Sequence, residues 1–537
     1  MPSDAPLGIL GVLLVSAVGG AGTMVVELAA VRLLAPWFGS SQAVWTNVIA
    51  VVLLALALGY LIGGQLSGRG KPLATMGLVL FLAGLWTACL PWLASWAAGL
   101  FLPERIALQD AADVVLWGSL ATSLVLFLPP AAVLGCVSPL AVEVVQRAQG
   151  GRAGRAGGLV LCSGTLGSLL GVFGTSHVLL ANLGLGGTFR VAALALILAG
   201  ILASFLARSK RWALTSALVL LALGASLALG DAARPALREG QTQLAYGESD
   251  YQSVRIVEEL ELGMRFLQVN EGFDSFQSVW RSEPGLLESG YYYNDFTLPP
   301  LWQAKPGPWR LMVLGLGAGT ALRVMEGVMP EGTSLQSLGI ELDPLVVKLA
   351  REHMDLAEDG ANLRVHGGLD ARVALNHAEG SFDQIILDCY ANQVEIPPHL
   401  CTLEFFRELK QKLAPGGWLS VNLGGFGFED PVVAAVAKTC AEAFGDSVLL
   451  MGVPRSRNFS LVARRDAALP LDANGHLMAG VEPSPQLIAP RLLPGAWQLV
   501  LPGAEGRLLT DDDCPMEYLQ RQSIRDGARL LAAGTSG

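Results

Sequence analysis

The chain has 537 residues, 52% of them hydrophobic and only 15% charged, with a formal net charge of -10. That length points to more than one domain, and the composition is too apolar for an ordinary soluble protein. The acidic balance, with no large Lys/Arg cluster, excludes a nucleic-acid-gripping surface; seven cysteines without a C-x-x-C pair or metal-ligand spacing give no reason to expect a metal.

Uncharged runs fill residues 7–230, and residues 231–537 read as an acidic globular sequence. A spanning helix needs about 20 apolar residues. Seven stretches qualify: 8–34, 44–65, 73–101, 112–134, 158–181, 187–206 and 212–230. The first is too long for a cleaved signal peptide and is expected to stay as a membrane helix. Residues 1–235 are thus expected to form an all-α, multi-pass membrane bundle of about seven spans, in a bacterial-type cell membrane with the lipid bilayer as partner. Pro129 and Pro130 should kink the fourth span without splitting it. Gly59 with Gly63, and Ser163 with Gly167 and Gly171, recur at a spacing that lets helices approach closely in lipid. Polar residues in these runs are few: Glu27, Arg32, Asn47, Glu143, His177 and Asn182. For Glu27 and Arg32 an ion pair is the simplest reading, and a path for a polar substrate or head group is the other.

Loop charges bear on orientation. Arg69 and Lys71, then Arg147, Arg152 and Arg155, then Arg208, Lys210 and Arg211 occupy alternate loops and share one side, with Glu104, Asp110 and Asp113 opposite. The positive-inside rule puts the basic loops in the cytoplasm, and seven crossings then leave residues 231 onward outside it. The chemistry read below uses a nucleotide-like compound that cells keep inside. The side of the soluble half stays open between these two arguments.

From 240 to 300 the pattern is that of a small β domain. "YQSVRIVEE" (251–259) and "MRFLQVN" (264–270) alternate around a turn at Gly263. Residues 301–537 change to strand–loop–helix units: "RLMVLGLGAGTALRVME", "LQSLGIELDPLVVKLAREHM", "NLRVHGGLDARVAL", "FDQIILDCY" and "FFRELKQKLAPGGWLSVNLGG". Such alternation predicts a parallel, doubly wound α/β sheet of the Rossmann-like, methyltransferase type, with its ligand at the carboxyl ends of the strands.

Each strand end offers something. Gly315, Gly317 and Gly319 lie in a loop where the backbone can approach a ligand closely. Glu341, 26 positions after Gly315, suits the vicinal hydroxyls of a ribose. Asp370 could accept from an adenine amino group, and Asp388 closes the fourth strand. Three acids after a glycine loop, each at a strand end, point to an adenosine site, and "LAPGGW" adds the look of an S-adenosylmethionine-dependent transferase.

With these motifs assembled, the chain resembles the polyamine aminopropyltransferases, or spermidine synthase-like proteins, in their membrane-fused branch. "ELAAVRLLAPWFGSS", "LALGYLIGG" and "SGTLGSLLG" look like that branch's membrane half. "YGESDYQSVRIVE", "NEGFDSFQS", "GLGAGT", "GIELDP", "GLDAR", "LDCYA", "PPHLCTLEFF", "LAPGGW" and "LLTDDDCPMEYL" look like its soluble half. The resemblance implies transfer of an aminopropyl group from decarboxylated S-adenosylmethionine to an amine or polyamine, and a homodimer. It places Gln252, Gln277, Glu341 and Asp370 on the donor, Tyr293 and Asp295 on the acceptor, and makes Asp388 the proton acceptor.

Two departures matter. Where the family carries acids that hold the donor's free ammonium, this chain has Ala318 and Ala391. An unpartnered buried ammonium is costly, unless Asp274 or Asp295 substitutes. Losing those charges makes intact S-adenosylmethionine the other candidate donor. A rival reading keeps the soluble half as a sensor without turnover, serving a membrane half that transports polyamines or sulfonium metabolites. His353, His366 and His377 show no ligand-like clustering, and Asp511, Asp512 and Asp513 are either a solvated turn or a cap over the site. Cys389 and Cys401 could pair as a disulfide were the domain exported; free thiols are the simpler expectation.

Overall fold

The computed structural model describes residues 5–38, 42–101, 114–207, 237–249, 251–269, 277–303, 305–390, 396–470, 491, 493 and 495–534. The expected span 212–230, the loop acids 104, 110 and 113, the basic residues 208, 210 and 211, Asp274 and Ala391 lie outside those residues.

Among the described residues, six helices are long and apolar enough to cross a membrane. They are built from α1 (Ala5–Phe38), α2 (Gln42–Ser67), α3 (Pro72–Phe101), the abutting pair α5 (Leu128–Gly135) and α6 (Val137–Ala148), then α7 (Ala153–Gly174) and α8 (Leu180–Leu206), while α4 (Ser119–Leu126), just ahead of α5, belongs to a shorter apolar helix. The fourth crossing does not stop at 134 as the hydropathy suggests but continues to Ala148. Prolines 129 and 130 fall in the first turn of α5, where a missing N–H costs nothing, so the helix restarts after Phe127 (φ -107°) and carries on. Glu143 and Arg147 then pair at 2.6 Å in the last turn of α6. The four-residue stripes mark where helices touch: a Cβ on Gly59 would strike the Ala132 carbonyl, and one on Gly167 the Ala17 carbonyl. Outward-facing positions such as Leu10, Leu53, Leu61, Trp96, Leu170 and Phe205 are large, apolar and exposed.

Helix ends sort into two groups. Arg147 Nη2 donates to the Ser67 carbonyl at 3.4 Å, so the loops after α2 and α6 lie side by side. Leu206, ending α8, abuts Gly11 near the start of α1. The C-terminal part of α1 and the start of α8 therefore lie at the other end, and there they meet the soluble half. Arg32 donates to the Ser249 carbonyl; a spacing of five residues puts it about 140° round the helix from Glu27, a different face from the one an ion pair would need. Within α8, Gly184 takes φ +65°, breaking the helix, and Glu248 accepts from the freed Leu185 N–H.

The soluble half starts with an antiparallel sheet in order β1 (Gln241–Glu248), β2 (Ser253–Glu259), β3 (Met264–Val269), β4 (Ser278–Arg281). After the short α9 (Leu298–Trp302) comes an eight-stranded sheet ordered β12-β10-β11-β9-β8-β5-β6-β7. Its strands are β5 (Gly307–Leu314), β6 (Thr333–Glu341), β7 (Leu363–Gly367), β8 (Phe382–Leu387), β9 (Leu413–Gly424), β10 (Val448–Gly452), β11 (Asn458–Arg464) and β12 (Trp497–Val500). Pairs β5–β6, β6–β7, β5–β8 and β8–β9 are parallel, while β9–β11, β10–β11 and β10–β12 are antiparallel. The helices are α10 (Thr320–Glu326), α11 (Pro344–His353), α12 (Ala371–His377), α13 (Leu403–Lys412), α14 (Pro431–Phe444) and α15 (Met516–Gly534). "LAPGGW" is not a turn ahead of β9 but an irregularity inside it: Gly416 at φ +74° lets the register slip between Phe382 and Gln384 on β8.

Candidate donor and acceptor site

Chain order reverses direction in the sheet at β5, which lies between β6 and β8. Ligands in doubly wound sheets occupy the crevice outside the carboxyl ends at such a point. Both walls of that crevice are present. Leaving β5, Gly315 and Gly319 each take φ +83° and Gly317 takes φ +54°. A side chain on Gly315 would collide with the Asp388 carbonyl, so glycine is what lets the loop pass the end of β8. Ser278 and Val279 of β4 latch the loop from behind: Ala318 N donates to Ser278 Oγ, and Thr320 Oγ1 bonds both main-chain groups of Val279, all at 2.9 Å.

Glu341 ends β6 facing that loop. Its Oε2 accepts from Gly317 N at 2.8 Å and its Oε1 from Asp343 N at 3.1 Å. Enclosure lifts its pKa to about 7 against the pull of those amides. Asp343 caps α11 through Leu345 N and accepts from Ser249 Oγ at 2.7 Å. A side-chain bond from Gln252 also reaches Asp343, two residues after Glu341.

Asp370 caps α12, taking Arg372 N and Val373 N on Oδ1, while His399 Nε2 lies 2.9 Å from Oδ2. Burial works against its charge, but His399 and the helix amides hold its carboxyl below the usual range. Asp388 follows β8, its amide bonded to Leu314 O at 2.8 Å. Tyr292 donates to its Oδ2 at 3.0 Å and Asn422 to its Oδ1 at 2.9 Å, and Asn458 in turn donates to Asn422 at 2.8 Å. Burial pushes the Asp388 carboxyl up to about 6. Burial, and then the negative charges of Glu341, Asp388 and Asp370, push the Cys389 thiol well above its usual range. Glu341 ends β6, and Asp370 and Asp388 follow β7 and β8, so all three lie at the carboxyl edge of the parallel strands.

The acceptor-side assignments fall differently. Residues 292–297 form a 3-10 turn, where successive side chains point about 120° apart. Tyr292 reaches Asp388, whereas the buried Tyr293 donates to the Gln277 main-chain carbonyl at 2.6 Å. Asp295 is 1% exposed, paired with Arg491 Nη1 at 2.8 Å and bonded by Ser460 Oγ at 2.5 Å. Sequence reasoning passed over Tyr292, His399, Asn422 and Asn458. The run of three tyrosines signalled the first; the others lie in loops and on a strand with nothing local to mark them.

A doubly wound sheet with a glycine loop and three acids at its strand ends, joined to long apolar helices, is a Rossmann-like domain of the methyltransferase type carried on a helix bundle. The chain is similar to the polyamine aminopropyltransferases. No family model matches it. The "Probable polyamine aminopropyl transferase" of Bifidobacterium longum is 28% identical over 228 residues, 42% of this chain and 48% of that protein. The polyamine aminopropyltransferase of Vibrio vulnificus is 38% identical over 121 residues, 22% of this chain and 38% of that one. This chain thus spans half or less of those two relatives. The polyamine aminopropyltransferase of Mycobacterium tuberculosis is 28% identical over 432 residues, covering 75% of each chain, a span longer than the soluble half alone. Among solved structures, a probable spermidine synthase from Corynebacterium glutamicum aligns with a TM-score of 0.39 and 20% identity, over 51% of this chain and 97% of that one.

Proposed function

We propose that the protein is a multi-pass membrane enzyme that moves an aminopropyl or related alkyl group from an adenosyl sulfonium donor to an amine. The observation that supports this reading is that Glu341, Asp370 and Asp388 stand at the carboxyl ends of parallel strands of one sheet, with Glu341 bonded to the glycine loop at Gly317. Glu341 would accept from the ribose hydroxyls and Asp370 from the adenine amino group. Asp388, steadied by Tyr292 and Asn422, would face the acceptor. An amine with a pKa of about 10.4 is almost wholly protonated at neutral pH and cannot attack until it loses a proton. Asp388 would hold the ammonium and take that proton as the new C–N bond forms and the C–S bond of the sulfonium breaks. Because the sulfonium is already activated, the rest is alignment. A pure sensor has no use for a caged acid at the acceptor position.

The donor's tail is the second element of the proposal. Ala318 is 5% exposed, its N–H spent on Ser278, and Asp295 is neutralised by Arg491. Neither offers the ammonium of a decarboxylated donor a carboxylate, which favours intact S-adenosylmethionine. The test is full-length protein in detergent, incubated with each donor and a panel of amines and assayed by mass spectrometry. Release of methylthioadenosine or S-adenosylhomocysteine supports turnover and names the group moved. Asp388→Asn should lower turnover by about 10²–10⁴-fold while leaving adenosyl-ligand binding unchanged; full activity in that variant ends the assigned role.

For topology, the soluble half is placed opposite the basic loops. Arg32 and Leu185, which meet it, lie at the bundle end away from the loops holding Arg69, Lys71, Arg147 and Arg152. By the positive-inside rule that end is extracytoplasmic, and the donor would then have to be delivered to it.

A further inference from the structure

We propose that Cys401 and Cys514 form a reversible disulfide that fastens segment 511–514 to residues 396–403. Their sulfurs lie 3.6 Å apart although the residues are 113 positions apart in sequence, and both thiols are free in this structure. Closing to a bond of about 2.05 Å asks for roughly 1.5 Å of sulfur movement. The backbones on either side are already held together without it. Leu403 N bonds Leu509 O at 2.8 Å, Thr402 Oγ1 bonds Asp511 Oδ1 at 2.6 Å, and Arg372 grips Asp511 with two nitrogens at 2.7 and 2.8 Å. Each sulfur also reaches the Pro398 carbonyl, Cys401 at 3.1 Å and Cys514 at 3.5 Å, which turns both toward the same spot.

The two thiols are unequal. Cys401 is 0% exposed and Cys514 is half-buried. The S–H of Cys401 favours the thiolate of Cys514 and lowers its pKa against the penalty of burial, while that same bond, together with burial, raises that of Cys401. Cys514 is therefore the attacking sulfur. Its thiolate attacks a low-molecular-weight disulfide, RSSR, giving a Cys514–S–SR mixed disulfide and RS⁻. Cys401 gives up its proton and attacks the Cys514 sulfur, expelling the second RS⁻. The protein dithiol is oxidised, and RSSR is reduced to two thiols once the protons are counted. What the bond would restrain is residues 396–401, which carry His399 against Asp370.

The test uses full-length protein in detergent, exposed to oxidised glutathione, acid-quenched, alkylated and digested. A linked peptide pair containing Cys401 and Cys514, opened by dithiothreitol and absent from Cys514→Ser, is expected. Backbone hydrogen exchange in 396–403 and 509–515 should slow in oxidised wild type and not in treated Cys514→Ser, with Cys401→Ser as the second variant. Complete alkylation of both cysteines after oxidant, a link from Cys401 to Cys389 instead, or unchanged exchange after closure would each overturn the proposal. None of these readouts requires turnover, so failure here is distinct from failure of the transferase reading.

Discussion

Asp388 and Glu341 are carboxylates held above their ordinary values of 3.8 and 4.5, at about 6 and about 7, chiefly by burial. An acid must be ionised to take a proton, so turnover should rise with pH through about 6 and lose that limb in Asp388→Asn. In the proposed role, ribose hydroxyls would donate to the charged form of Glu341. Affinity for an adenosyl ligand should therefore rise with pH to about 7 and then level, a profile that calorimetry across pH 5.5–8.5 would read. The sign for stability is opposite. A carboxyl whose folded value is raised contributes most below its unfolded value and loses that contribution as pH rises through the folded one. The ligand-free protein should thus lose stability between about pH 4 and 7, and bound ligand should cancel the loss. Ala318 gives a third residue-scale outcome. Ala318→Asp returns a charge beside the donor's tail and should shift preference toward decarboxylated S-adenosylmethionine, measured as the ratio of the two dissociation constants; an unchanged ratio removes Ala318 from the specificity argument.

At the scale of elements, the 3-10 turn of residues 292–297 is what presents Tyr292 to Asp388, and Arg491 holds it down. Besides pairing with Asp295, Arg491 donates to the carbonyls of Ser289 and Tyr291 at 2.8 and 2.9 Å, at 0% exposure. Removing one partner of a buried ion pair leaves an uncompensated charge and costs about 3–5 kcal/mol. Arg491→Met should lower the unfolding midpoint accordingly, and Asp295→Asn in the same background should recover part of it. This arrangement also shows where sequence reading stops. Gly315, Glu341, Asp370 and Asp388 were legible because strand ends and glycine loops leave a periodic trace. Asp295 is an acceptor ligand only by the family resemblance, and its burial in an ion pair with Arg491 shows no trace in the sequence, because that partner lies nearly two hundred positions away. Tyr292 and Tyr293 were indistinguishable without the pitch of the turn that separates them. The helices of the N-terminal half are plain from hydropathy, but the fourth crossing, expected over 112–134 with a kink at the double proline, instead begins at Leu128 and runs to Ala148, because the two prolines stand in the first turn of a new helix.

The whole molecule is two bodies joined at the turn after β1. Glu248 and Ser249 touch the bundle on one side, and Ser249 touches Asp343, two residues after Glu341, on the other. The sidedness of that joint is open to direct measurement. A membrane-impermeant maleimide on intact cells should label Glu331→Cys, on the exposed surface of the soluble half, above the parent background, and leave Arg152→Cys unlabelled. The reverse pattern puts the soluble half in the cytoplasm. The bond between Glu248 and the Leu185 amide has a consequence for biogenesis. The partner that closes the break at Gly184 is encoded 63 residues downstream, so the ribosome delivers this helix into the bilayer with an open end. The bundle can reach its final shape only after the first strand of the next domain has been made and has come to rest on it. Nascent chains halted just before that strand should carry a span that is inserted but unfinished.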